Sequence, residues 1–240
     1  MIVTQLAAFG TSGPTANSPA IDGSAQDFRR DVPFDMPHSP GLAPPTFFNR
    51  LPDPNLQSKR RGQANLQGLL KGIAVGLAER GHKAVTFDMR GVGRSTGWPS
   101  LTGSSEIRDV VAVCKWVCEN MSTHRILLVG SSAGVPISGS AVDKIKQVVG
   151  YISLGYPFGL MASILFGRHH KAILQSPKPK LFVMGTRDGF TSVKQLNKKL
   201  KSAAGRVETH LIEGVSHFQM EGPSYDAQMV DLILVFIASL

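Results

Sequence analysis

Apolar residues recur along this chain with two spacings, and the spacings alternate. Nearly unbroken apolar runs stand at residues 83–88, 125–129, 148–154 and 180–185, with a shorter one at 209–214. Runs of this length, rich in β-branched and aromatic residues, predict strands buried on both faces. Between them, apolar positions return every three or four residues over 66–79, 104–119, 192–203 and 225–239, which predicts amphipathic helices. Strand and helix in alternation imply an α/β chain. Its sheet is mostly parallel, its crossovers are right-handed, and its helices cover both faces.

The first 62 residues break the pattern. Nine of the fifteen prolines fall before residue 55, in sequence rich in Ser, Gly and Ala. That composition predicts a disordered or loosely packed segment, followed by one folded domain over 63–240. The apolar stretch at 2–9 is too short to span a bilayer and lacks the basic leader of a secretory signal. A cytoplasmic location is expected, with a plastid transit peptide as the weaker reading, since the first 21 residues carry neither acid nor arginine. Residues 47–63 carry two prolines and the run Lys59-Arg60-Arg61, with no strand pattern. Five strands are visible, so the sheet is expected to be truncated on its N-terminal side.

The strand at 125–129 runs straight into Gly130-Ser131-Ser132-Ala133-Gly134, with a helix expected from 133 to about 141. A strand that ends in G-x-S-x-G and opens a helix is a nucleophile elbow. The turn is tight enough to need small residues two before and two after the serine, and glycine stands at both places. Such a turn lifts the Ser132 hydroxyl to the end of the sheet. Downstream, Asp188 follows the strand at 180–185 and His217 follows the strand at 209–214. Open parallel sheets place their chemistry just past the C-terminal ends of strands. Each residue also has a bland reading: Ser131 or Ser132 as a helix N-cap, Asp188 as a turn aspartate before Gly189, His217 as a satisfied loop histidine.

From about Gln63 to Leu240 the chain resembles an α/β-hydrolase, similar to the serine hydrolases described as Xaa-Pro dipeptidyl-peptidase-like or serine-aminopeptidase-like. The order Ser, Asp, His carries the resemblance, together with the elbow. So do Asp88-Met89-Arg90-Gly91-Val92-Gly93-Arg94-Ser95, which is similar to the D-x-R-G-x-G-x-S loop of such proteins, and the histidine loop Gly214-Val215-Ser216-His217-Phe218. The resemblance implies an α/β-hydrolase fold with a minimal cap. It also implies an enzyme that cleaves an ester, thioester or amide through an acyl-serine. Ser132 would be the nucleophile, His217 the base and Asp188 its orienting partner, with one oxyanion donor from the Ala133 N–H. Tyr156 and Phe158 are candidates for the substrate pocket. No oxyanion-loop motif is recognisable upstream, so a non-catalytic binding or scaffold protein of the same fold is the alternative.

Other chemistries find less support. A formal charge of +9 raises the question of nucleic acid. The cations are dispersed, apart from Lys194, Lys198, Lys199 and Lys201 on one helix face, and no aromatic residues interleave with them to stack bases. No nucleic-acid partner is expected; a small ester, acyl or peptide-like substrate is. Cys114 and Cys118 share one face of a helix, without further ligands at zinc spacing, and read as reduced thiols. The glycines of 91–97 are followed by Trp98-Pro99 and open no helix, as a dinucleotide fingerprint would. No cofactor and no metal are expected. His169 and His170 read as a surface turn.

Overall fold

Four consecutive apolar residues, Ile126-Leu127-Leu128-Val129, begin strand β4 (Ile126–Ser131), in which every residue is buried. Successive side chains of a strand point to opposite faces. Ile126 and Leu128 accordingly enter one hydrophobic cluster, and Leu127 and Val129 enter the other. The computed structural model describes residues 2–6, 41–48, 69–93, 95–121, 123–159 and 169–240.

The remaining strands are β1 (Ile2–Leu6), β2 (Thr46–Phe48), β3 (Ala84–Asp88), β5 (Val148–Leu154), β6 (Lys180–Gly185) and β7 (Val207–Ile212). They form one seven-stranded sheet in the order β2-β3-β1-β4-β5-β6-β7, parallel except for the edge pair of β2 with β3. Helices α1 (Leu69–Glu79) and α7 (Asp226–Ala238) pack on one face, where Leu70, Ile73, Leu77, Met229, Ile233 and Phe236 meet the odd positions of β4. On the other face Val110, Val113 and Val117 of α2 (Ser104–Asn120) pack with α3 (Gly134–Ala141), and Leu196 of α5 (Val193–Leu200) closes the layer. Residues 169–175 form a further helix, α4.

The five predicted strands are present, and two more come from the segment expected to be loosely packed. β1 pairs with β3 on one side and β4 on the other, with Thr4 level with both Thr86 and Val129. The strand beside the elbow strand is thus supplied by residues 2–6 and not by 47–63, which corrects the expected truncation. A five-residue strand without flanking turn signals leaves little trace in sequence, and proline-rich sequence beside it masks the rest. The greater part of the 1–62 segment, including Lys59-Arg60-Arg61, lies outside the described residues. Cys114 is buried and Cys118 half-buried, both as free thiols. Lys194, Lys198, Lys199 and Lys201 are exposed, on and just past the amphipathic helix α5. No helix among the described residues is long and apolar enough to cross a membrane.

The loop after β3 locks this side of the sheet. The Arg90 guanidinium grips Asp109 of α2 through two bonds of 2.7 and 2.6 Å, and Asp109 is fully buried. Ser95 Oγ donates to Asp88 O and accepts from Ala43 N, tying the loop to the segment before β2. The D-x-R-G-x-G-x-S motif therefore has a structural use here.

Two outcomes follow from this packing. Proline in an interior strand removes a ladder donor and costs about 3 kcal/mol or more. Thr4→Pro should therefore lower the melting temperature by about 6–12 °C for a chain of this size. An unchanged melting temperature would place the N-terminal strand outside the cooperative fold. The second outcome concerns Asp226, whose carboxyl presses on α1 so closely that a Cβ on Gly72 would lie 1.8 Å from Oδ2. Its Oδ1 is buried with no hydrogen-bond partner among the described residues. Burial pushes this carboxyl up from 3.8 to about 6. The folded chain then holds the proton more tightly than the unfolded one, so stability falls as pH rises from 3.8 through 6. For a half-buried group the loss is about 1–2 kcal/mol. Asp226→Asn should raise the melting temperature at pH 7.5 and leave it nearly unchanged at pH 3.5, as read by calorimetry.

Candidate active site

At the end of β4 the backbone turns through Ser132 at φ 50°, the one non-glycine residue with positive φ among the described residues. For an L-residue that conformation costs on the order of 1–2 kcal/mol. Gly130 makes room for it, since a Cβ there would meet Ser138 Oγ at 2.4 Å and Val135 Cα at 3.0 Å. The Ser132 N–H donates to Leu154 O at 2.9 Å, which pins the turn to the end of β5. Helix α3 begins two residues later with no side-chain cap. The N-cap reading of Ser131 and Ser132 fails because both hydroxyls are engaged elsewhere.

Ser132 Oγ lies 2.8 Å from His217 Nε2, and His217 Nδ1 lies 2.6 Å from Asp188 Oδ2. The histidine and aspartate side chains are 2% and 0% exposed. A carboxylate can only accept, so the network assigns the proton of the neutral ring to Nδ1 and leaves Nε2 to accept from the serine hydroxyl. The structure thus brings Ser132, His217 and Asp188 into one hydrogen-bonded line. Asp188 also fulfils its bland reading: Oδ1 accepts from the N–H groups of Phe190 and Thr191 at 2.7 and 2.9 Å. One oxygen shapes the turn and the other orients the ring.

The loops that carry Asp188 and His217 are joined by two backbone N–H donors, one to a carbonyl and one to a hydroxyl. Arg187 N donates to Val215 O, and Gly214 N donates to Thr186 Oγ1, both at 2.9 Å. Ser216 caps the short helix α6 (His217–Met220) in a capping box with Gln219, so the imidazole leaves from the first residue of a fixed turn. Gly155, at φ 69°, lies against the ring; a Cβ there would come within 2.8 Å of His217 Cε1.

Ala133, the oxyanion candidate, is buried at the mouth of α3, and no acceptor takes its N–H among the described residues. Tyr156 and Phe158 stack on each other at 3.9 Å between centroids, packed on Phe182 and His170 within the core. Burial holds the Tyr156 phenol well above its ordinary range, so it stays protonated, and its hydroxyl shares a 3.0 Å hydrogen bond with His170 Nδ1. His169 and His170 are not a surface turn. Both are buried on α4, and His169 bridges Ser140 Oγ at 2.8 Å and Thr102 O at 2.6 Å. Among the described residues no cluster of His, Cys, Asp or Glu could hold a metal.

The contacts of four residues at the site escape the sequence reading. Phe190 and Phe218 stand edge-on to His217, at 4.7 and 5.5 Å between centroids, and are 48% and 71% exposed. Their adjacency to Asp188 and His217 in the chain is the signal that could have found them. Ser131 Oγ donates to Glu221 Oε1 at 2.8 Å, and that same oxygen lies 3.9 Å from His217 Nε2. The i, i+4 spacing of His217 and Glu221 on a helical turn is visible in sequence; the bond to Ser131, ninety residues away, is not.

Structural comparison finds the same architecture in an alpha-beta serine hydrolase homologue from Coxiella burnetii, 23% identical. The likeness covers 83% of this chain and 95% of that one, with a TM-score of 0.60. A lidless a/b serine hydrolase from Xanthomonas campestris matches at a TM-score of 0.61 and 21% identity, over 81% of this chain and 89% of its own. Est1E from Butyrivibrio proteoclasticus, whose structure holds ferulic acid, matches at 0.57 and 17% identity, over 70% and 82%. No curated protein matches the sequence. Residues 61–229 match the family described as alpha/beta hydrolase domain. With well over half its length so matched, and with this strand order around the elbow, the chain belongs to the α/β-hydrolase domain family.

Proposed function

We propose that this protein is a serine hydrolase, cleaving an ester, thioester or amide through an acyl group carried on Ser132. The observation that carries the reading is the line Ser132 Oγ–His217 Nε2–Asp188 Oδ2, with spacings of 2.8 and 2.6 Å and the two acid–base side chains closed to solvent. As Ser132 Oγ bonds to the substrate carbonyl carbon, its proton passes to Nε2 and the carbonyl oxygen takes the negative charge. The Ala133 N–H meets that oxyanion. When the intermediate collapses, the bond to the leaving group breaks and the leaving group takes the proton from Nε2. Water then repeats the sequence on the acyl-serine and restores the hydroxyl. Asp188 holds the ring in its reactive tautomer and offsets the charge of the imidazolium.

The register sets Gln5 level with Gly130, so β1 ends beside the elbow. Tyr156 and Phe158 would back the acyl pocket through Gly155, which joins them to the ring. Free Cys114 and Cys118 agree with a cytoplasmic, reducing location.

A fluorophosphonate probe should label the purified protein and fail to label Ser132→Ala or His217→Ala. A folded protein that takes no label would leave the non-catalytic reading. Asp188→Asn keeps an oxygen for the Phe190 and Thr191 N–H groups but faces Nδ1 with an amide, so the tautomer reverses. Its kcat should fall about 10⁴-fold, with the melting temperature close to that of the parent. Gly155→Ala displaces the imidazole by the clash at Cε1. Steady-state kinetics should then show kcat down about 100-fold, the usual scale for an ångström of misplacement.

A further inference from the structure

Glu221 has no part in the mechanism above, yet its carboxylate sits at the reacting end of the histidine. The side chain is 27% exposed and so accessible from outside. Ser131, the elbow residue next to the nucleophile, holds Oε1 with a 2.8 Å bond. Among the described residues the charged groups that meet His217 are Asp188, at Nδ1, and Glu221, 3.9 Å from Nε2. No lysine or arginine among the described residues pairs with Glu221, although the chain carries a formal charge of +9. A negative charge is therefore fixed at the site of an otherwise basic protein. The exposed rings of Phe190 and Phe218 stand against the same imidazole.

We propose that Glu221, positioned by Ser131 and sharing the His217 imidazole with the exposed rings of Phe190 and Phe218, is a specificity residue that selects substrates with a cationic, ammonium-type leaving group. The inference rests on the serine-hydrolase reading and adds the substrate class. His217 Nε2 delivers its proton to the leaving heteroatom. A carboxylate oxygen 3.9 Å from Nε2 is within reach of a positive charge a few bonds beyond that atom. The pairing of a carboxylate with aromatic faces suits an alkylammonium, which gains from both the charge and the ring quadrupoles. An anionic leaving group at the same place would be repelled.

The test is a matched pair of acetate esters, one of choline and one of its uncharged carbon isostere 3,3-dimethylbutanol. At low salt, kcat/KM should favour the choline ester by about tenfold, the effect of one partly screened charge pair. In Glu221→Gln the ratio should fall to about one. It should persist in Glu221→Asp, which keeps the charge, and shrink in Ser131→Ala. The ratio cancels any general loss of catalysis or folding. A ratio that is the same in parent and Glu221→Gln overturns the proposal. Binding is measured separately in the Ser132→Ala protein by saturation-transfer NMR with choline and 3,3-dimethylbutanol. Choline binding that Glu221→Gln abolishes supports the proposal even if no ester is turned over, in which case the hydrolase reading alone fails. Choline that does not bind, or binds equally to Glu221→Gln, overturns the proposal whatever the hydrolase does.

Discussion

The turn at Ser132 holds a residue with a Cβ at φ 50°, and the surrounding structure keeps it from relaxing. β4 is buried along its whole length and lies between β1 and β5, so the strand that feeds the turn cannot shift without breaking two parallel ladders. Beyond the turn, all eight residues of α3 are buried. The Ser132 N–H is tied to β5, and Gly130 lets the Ser138 side chain close in beneath. A strain of one or two kcal/mol persists only where such packing over-determines the backbone. The strained turn gives a hydroxyl aimed out of the sheet, with a helix N-terminus behind it. The two core clusters can thus be seen as the support of a single torsion angle.

The histidine is held with less backbone strain and more contact. Its loop is fixed to the acid loop by backbone bonds, its helix by a capping box, and its ring by the absence of a side chain at Gly155. Gly185 adds to this, since a Cβ there would sit 2.1 Å from Val215 O. Asp188 and His217 therefore belong to one stitched unit at the ends of β6 and β7. Ser132 belongs to another at the end of β4. The parallel register of β4, β5 and β6 is what sets the two units within 2.8 Å of each other.

What the sequence makes legible follows from this division. Long apolar runs such as residues 180–185 specify their own burial, and the elbow and the two loop residues announce themselves by position after strands. β1 could not be read in the same way. Ile2–Leu6 is short, and a strand becomes central only through pairings with residues 84–88 and 127–130, which local pattern does not encode. The same limit hid the Ser131–Glu221 bond and the burial of His169, whose partners Ser140 and Thr102 lie 29 and 67 residues away. Conversely, the D-x-R-G-x-G-x-S segment was plain in sequence as a motif, but its use could be seen only with Asp109 in place: Arg90 is spent on a buried ion pair. Motif recognition locates residues. It does not say which of their atoms are already occupied.

That distinction sorts the two carboxylates on either side of His217. Asp188 has its oxygens filled by Phe190 N, Thr191 N and the ring nitrogen, so as an anion it is satisfied without any cation. Its side chain is closed to solvent, so its second oxygen faces the imidazole and no outside ligand. Glu221 receives one hydroxyl from Ser131 and remains partly open to solvent. Lone pairs on its carboxylate are left for a further donor. In the proposed roles, the buried carboxylate orients and the half-open one recruits. The environment assigns the roles in the way that differing surroundings assign different tasks to paired carboxylates elsewhere. In the proposed reaction the charge a substrate carries would be read beside the same nitrogen that moves its proton.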